Sequence, residues 1–207
     1  MLPASLIPPI PTGAELTAIL IVVCFSAGLN LYATVAMLGA LARAHLLTLP
    51  PSLHLIESWW VFAACAALFL VEFIGDKIPI FDIVWNALHT FVRIPAAALL
   101  TYAATAQLPA WERMLATLLG GFVALAAHGG KVAARAAVTP SPEPLSNIAL
   151  SLSEDAAVIF LTWFATRHAY VAAGIVLVAI AIIVIMIRAV VGAMRRLFSG
   201  AEGALAG

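Results

Sequence analysis

Long apolar runs separated by short polar or proline-containing breaks dominate the chain. Most of them approach the ~20 residues that an α-helix needs to cross a bilayer. The pattern predicts a first helix from Ala14 to about Leu41, with Gly28-Leu29-Asn30 near its middle, and a second from Ser58 to Lys77. Trp59 and Trp60 open the second, where an interfacial aromatic belt belongs. The stretch from Phe81 to Ala106 starts amphipathic and is divided by Pro95. It reads either as a full span or as an interfacial piece followed by a half-length helix. Further helices are expected from Trp111 to about Ala137, from Leu145 to Thr166, and from Ala169 to Ile187, the last uncharged. Pro140, Pro142 and Pro144 set a loop before the fifth, because three prolines cannot continue a helix.

The order of elements repeats. Each half has a Gly-containing helix ending in an arginine (Arg43, Arg135), a Pro-rich loop, and a helix with paired acids. The acids are Glu72 and Asp76 in one half, Glu154 and Asp155 in the other, and a third segment follows each. Three-span units in tandem enter the membrane from opposite sides, a plan common among carriers with midplane sites. The expected fold is an all-α integral membrane protein, a six-span helical bundle of two inverted three-helix repeats in one domain. The first repeat covers about 14–106 and the second about 111–198, with a mobile tail at 199–207.

Composition agrees with the pattern. Of 207 residues, 64% are hydrophobic and 10% charged, where a soluble domain is about half apolar and a quarter charged. Formal net charge is zero, so no nucleic-acid partner is suggested, and membrane lipid is the expected surroundings. The first thirteen residues lack the Lys or Arg of a cleaved leader, so the chain is expected to begin near Met1. Cys24 and Cys65 lie in apolar segments and read as packing residues. Six spans put both termini on one side. The lysine and arginine excess (Lys77, Lys131, Arg135, Arg188, Arg195, Arg196 against Arg43, Arg113, Arg167) puts that side in the cytoplasm.

Polar residues fall in stripes. Ser26, Asn30 and Thr34 recur every four residues, and Asp82, Asn86, His89 and Arg93 follow at steps of four, three and four. His128, Lys131 and Arg135 share a face, as do Asn147, Ser151, Glu154 and Asp155. An ionisable group at a bilayer centre costs about 2.5–3.5 kcal/mol on insertion scales, so these stripes are expected to turn inward and meet. Glu72 and Asp76 are one helical turn apart and need a proton, a cation or a basic partner between them. No soluble-enzyme or cofactor motif stands in the chain, and no cofactor is expected.

Gly28-Leu29-Asn30-Leu31-Tyr32-Ala33-Thr34, Val71-Glu72-Phe73-Ile74-Gly75-Asp76-Lys77-Ile78-Pro79 and Asp82-Ile83-Val84-Trp85 resemble a bacterial membrane family known as domain of unknown function 4126. His89-Thr90-Phe91, Ser141-Pro142-Glu143-Pro144 and Ser153-Glu154-Asp155 extend the resemblance over most of the chain. That resemblance implies a bacterial inner-membrane protein and no particular activity. A second resemblance is to small cation/proton exchangers with a Glu-x-Gly-Asp-Lys/Arg-Ser/Thr motif in each half. Here the first copy carries one inserted residue and no hydroxyl, and the second half offers only Glu154-Asp155.

The leading expectation is a small carrier exchanging a cation, divalent rather than monovalent, against protons. Glu72, Asp76, Glu154 and Asp155 would form the ion or metal site, with Asn30 and Asn147 as neutral oxygen ligands. Lys77, Asp82, His89, Arg93, His128, Lys131 and Arg135 would balance charge or gate. Alternatives on the same fold are an anion or small-solute carrier using the basic stripe, a scaffold or assembly factor, and a membrane-embedded enzyme using His89 and His128. A homo-oligomer is compatible with each.

Overall fold

A computed structural model describes residues 8–138 and 144–205, and every regular element in them is helical. The elements are α1 (Gly13–Leu29), α2 (Leu31–Arg43), a 3-10 helix (Pro51–Glu57), α3 (Trp59–Gly75), α4 (Pro79–Ala104), α5 (Ala110–Val138), α6 (Pro144–Ala165) and α7 (Ala169–Leu205). Residues 139–143 of the predicted proline loop lie outside the described residues, and Pro144 begins α6.

The first predicted helix is two helices. Asn30 has extended backbone (φ −148°, ψ 101°), so the apolar run that reads as one span is interrupted at its polar centre. Pro95, in contrast, interrupts nothing: α4 runs unbroken through it for 26 residues. Proline removes one donor, and in a membrane bundle neighbouring helices can satisfy the carbonyl it frees. The 3-10 helix and α3 meet at an angle of 62°. Helix α7 continues past its apolar part through the basic segment to Leu205.

Helix α1 occupies the centre, packed by α4, α5, α6 and α7, while α2 leans on α3 and α6. Its residues from Val22 to Leu29 are all buried. At Gly28 an added Cβ would collide with the backbone of Ala124, so α1 and α5 touch main chain to main chain, as small residues permit in membrane helices. The periphery is apolar: Phe91 is 81% exposed, and Leu119, Phe122 and Ile185 are each more than 60% exposed. Such a surface suits acyl chains and not water. Among the described residues, four helices are long and apolar enough to cross a membrane, within 84–104, 110–135, 148–165 and 169–189. The bent pair of the 3-10 helix and α3 makes five if counted as one span.

Candidate functional site

The interruption at Asn30 organises the interior. Its side-chain oxygen accepts a hydrogen bond from Ala33 N at 2.9 Å and caps α2, the role for which asparagine is well suited. Its amide donates to Asp155 Oδ1 at 2.9 Å. On the other side of the break, Leu29 O accepts from Lys131 Nζ at 3.3 Å. One helix end and one helix start therefore face buried ionisable groups.

Lys131, rather than Lys77, bridges the two acids of α3. Its Nζ lies 2.9 Å from Asp76 Oδ2 and 3.4 Å from Glu72 Oε1, and 3.5 Å from Glu154 Oε2 on α6. Arg93 pairs with the same Glu72 oxygen. Arg135 reaches Asp76 Oδ2 at 3.1 Å, Asp82 at 3.2 Å and Glu154 Oε2 at 2.8 Å. Helices α3, α4, α5 and α6 are thus tied by ion pairs that no single helix could form. Lys77 stands apart in the turn between α3 and α4, donating to Phe73 O at 2.5 Å with its ammonium 3.3 Å from that ring's centre. Burial lowers its pKa from the ordinary lysine value, and the charges of Asp155 and Asp76 act against that.

The stripe on α4 is buried throughout and continues the network. Asn86 donates to Asp82 Oδ1 at 2.7 Å, and Arg93 donates to Asn86 Oδ1 at 3.2 Å. Arg93 also meets His128 Nδ1 at 3.1 Å, whose Nε2 lies 2.8 Å from Thr90 Oγ1. His89 bonds Tyr32 Oη at 2.8 Å through Nε2 and Trp85 O at 2.8 Å through Nδ1. Ser26, Thr34 and Ser151 are buried with them, and the Asn147 side chain lies outside the described residues. Tyr32, Thr90 and the Leu29 carbonyl were not singled out by spacing. A helix period carried across residues 14–41 misplaces Tyr32, because the register restarts at Asn30.

Five carboxylates (Glu72, Asp76, Asp82, Glu154, Asp155) and three cations (Arg93, Lys131, Arg135) are at most 9% exposed. With the histidines neutral, the acids exceed the cations by two. Among the described residues, Glu72 Oε2 and Asp155 Oδ2 are buried without a hydrogen-bond partner. Such oxygens are costly unless a proton or a cation meets them. No group of three or more His, Cys, Asp or Glu side chains is arranged to hold a metal among the described residues. Of the expected ion-site residues, Glu72, Asp76 and Glu154 meet Lys131, the last two also meet Arg135, and Asp155 and Asn30 bond each other instead, with the Asn30 oxygen taken up by Ala33 N. Cys24 and Cys65 are free thiols.

Several apolar helices of membrane-crossing length enclosing a buried charged network define a multi-pass membrane protein. The family model for the domain of unknown function DUF4126 matches residues 17–189, and the chain belongs to that family. No curated protein and no solved structure matches the chain.

Proposed function

We propose that this protein is a small secondary carrier of the bacterial inner membrane that exchanges a cation against protons through its intramembrane carboxylates. One observation carries the reading: among the described residues, five buried acids outnumber three buried cations around a discontinuous helix. A stability device would balance its charges, and buried ion pairs contribute little net stability in any case. Broken helices whose freed ends face ionisable side chains are how many carriers build an ion site. Asn30, Arg93 and Asp155 each fall near the middle of their segments, which supports a site at mid-depth.

Counting α1 and α2 as one interrupted crossing and the 3-10 helix with α3 as another gives six spans, with both termini cytoplasmic by the distribution of Lys and Arg. The two halves, about 14–106 and 111–198, form an inverted repeat in this reading. In its favour, α1 and α5 pack on each other at the centre, and α4 and α7 each touch both. Glu72, Asp76, Glu154 and Asp155 supply the oxygens that take up the exchanged charges in this reading, and Lys131 and Arg135 neutralise them between occupants.

The test is reconstitution of the purified protein into vesicles enclosing a pH-sensitive dye, with pulses of sodium, potassium, magnesium, calcium and manganese salts. At least one cation is expected to drive proton movement that Glu72→Gln and Asp155→Asn abolish while the protein still unfolds cooperatively. Proton movement absent for every cation, or unchanged in both variants, removes the carrier reading.

A further inference from the structure

The Lys131 ammonium sits in a shell of four oxygens drawn from three helices. Leu29 O from α1, Glu72 Oε1 from α3, Asp76 Oδ2 from the residue that ends α3 and Glu154 Oε2 from α6 lie 2.9–3.5 Å from Nζ. A backbone carbonyl and three carboxylates around one positive nitrogen are the ligand set of a hard cation. Lys131 supplies that cation covalently, on a stem of four methylenes from α5. The Glu72 side chain is fully buried, and its second oxygen has no partner among the described residues, so the shell holds more acceptor capacity than Lys131 uses.

The shell also has an approach. A cavity of about 180 Å³ beside it is lined by Leu29, Gly130, Lys131, Glu154, Ile183 and Met186, among others. It lies along the α5–α7 seam, where a Cβ on Gly130 would meet Ile183 Cδ1 at 2.7 Å. The absence of a side chain at Gly130 lets Ile183 pack close against α5, and Ile183 and Lys131 line the same cavity.

We propose that this four-oxygen cage is the cation-binding site of the protein, that Lys131 is its resident occupant, and that it takes a monovalent cation of ammonium size rather than Mg²⁺ or Ca²⁺. The proposal deepens the carrier reading and rests on it for its purpose, though not for its chemistry. Size and the sharing of each oxygen both decide against the divalent ion that a count of carboxylates alone favours. Magnesium needs oxygens at about 2.0–2.1 Å and calcium at about 2.3–2.6 Å. Each carboxylate oxygen here is shared with an arginine: Glu72 Oε1 with Arg93, and Asp76 Oδ2 and Glu154 Oε2 with Arg135. Those guanidiniums hold the oxygens outward, and contracting the cage by most of an ångström would break pairs on three helices at once. A monovalent ion takes the ammonium's position in the cage and leaves the arginines in place.

Chemical rescue tests this directly. Full-length Lys131→Ala in detergent is titrated with ammonium, methylammonium, potassium, tetramethylammonium and magnesium chlorides at fixed ionic strength while its Tm is followed. Ammonium, methylammonium and potassium should each raise the Tm of the variant by several degrees and saturate, as ligands that bind only the folded state do. Tetramethylammonium and magnesium should add no more than they add to the wild type. A variant that responds alike to every salt or to none, or that magnesium rescues best, overturns the proposal. Should Lys131→Ala not fold, the wild type carries the same test. Potassium or methylammonium should displace the buried amine and raise acetylation of Lys131 several-fold over magnesium, and equal labelling overturns it. Rescue without any cation-driven proton flux in vesicles would keep the cage and remove the carrier, and flux without rescue would do the reverse.

Discussion

Arg93 holds Glu72, Asn86 and His128 from one guanidinium, and its side chain has no contact with solvent. Removing it leaves a buried carboxylate with one partner fewer and two polar groups unsatisfied. Arg93→Ala is therefore expected to cost about 3–5 kcal/mol in denaturant unfolding in micelles. Replacing both ends at once, Arg93→Met with Glu72→Met, should recover most of that loss, because two apolar groups need no pairing. A double variant as unstable as the single one would mean that the pair is not the source of the cost. Membership of this network was legible in the spacing of Asp82, Asn86, His89 and Arg93, since charges in an apolar chain must turn inward. The pairing was not. Which acid meets Arg93 depends on how α3 and α4 are rotated against each other, and residues 21 positions apart carry no record of that angle. Lys77 shows the same limit, since it adjoins Asp76 in sequence while Lys131, 55 positions away, makes the ion pair.

Among the elements, the α1–α2 break concentrates the consequences. Asn30→Ala removes the cap of α2 and leaves Asp155 without its amide partner. The cap alone is worth about 0.5–2 kcal/mol, so a loss at or above that range is expected from thermal unfolding. A loss no larger than that of a surface substitution would show that α2 does not depend on Asn30. Two residues before Asn30, Gly28 lets α1 meet α5. Gly28→Ala should destabilise by about 1–3 kcal/mol or more, because the atoms it strikes are backbone and cannot swing aside. Neutral behaviour there would mean that the two helices are free to separate. Hydropathy could not separate α1 from α2, because Gly28-Leu29-Asn30 interrupts the apolar run by a single polar residue. Only the cap geometry marks the break, and an asparagine within a helix looks identical in sequence. Pro95 misleads in the opposite direction, being a helix breaker in water and tolerated within the packed bundle.

At the scale of the whole molecule, apolar surface faces outward and charge inward, the inverse of a soluble fold. Composition made this legible, since a chain with 64% hydrophobic residues turns apolar surface to lipid and must shield the charges that fall within its apolar segments. What composition could not give is the imbalance inside: net charge is zero overall, while the described interior holds five acids to three cations. In the count over the whole chain the difference is made up by basic residues outside that interior, such as Lys77 and Arg113. The central claim is that the two uncompensated charges are covered by exchangeable protons, and cation binding must then release them. Purified protein in unbuffered detergent solution, brought to neutral pH and titrated with potassium and then with other chlorides, gives the measurement. The account predicts a saturable acidification of no more than about two protons per chain, reduced in Glu72→Gln and in Asp155→Asn. No acidification with any cation, or an equal release from both variants, would contradict it.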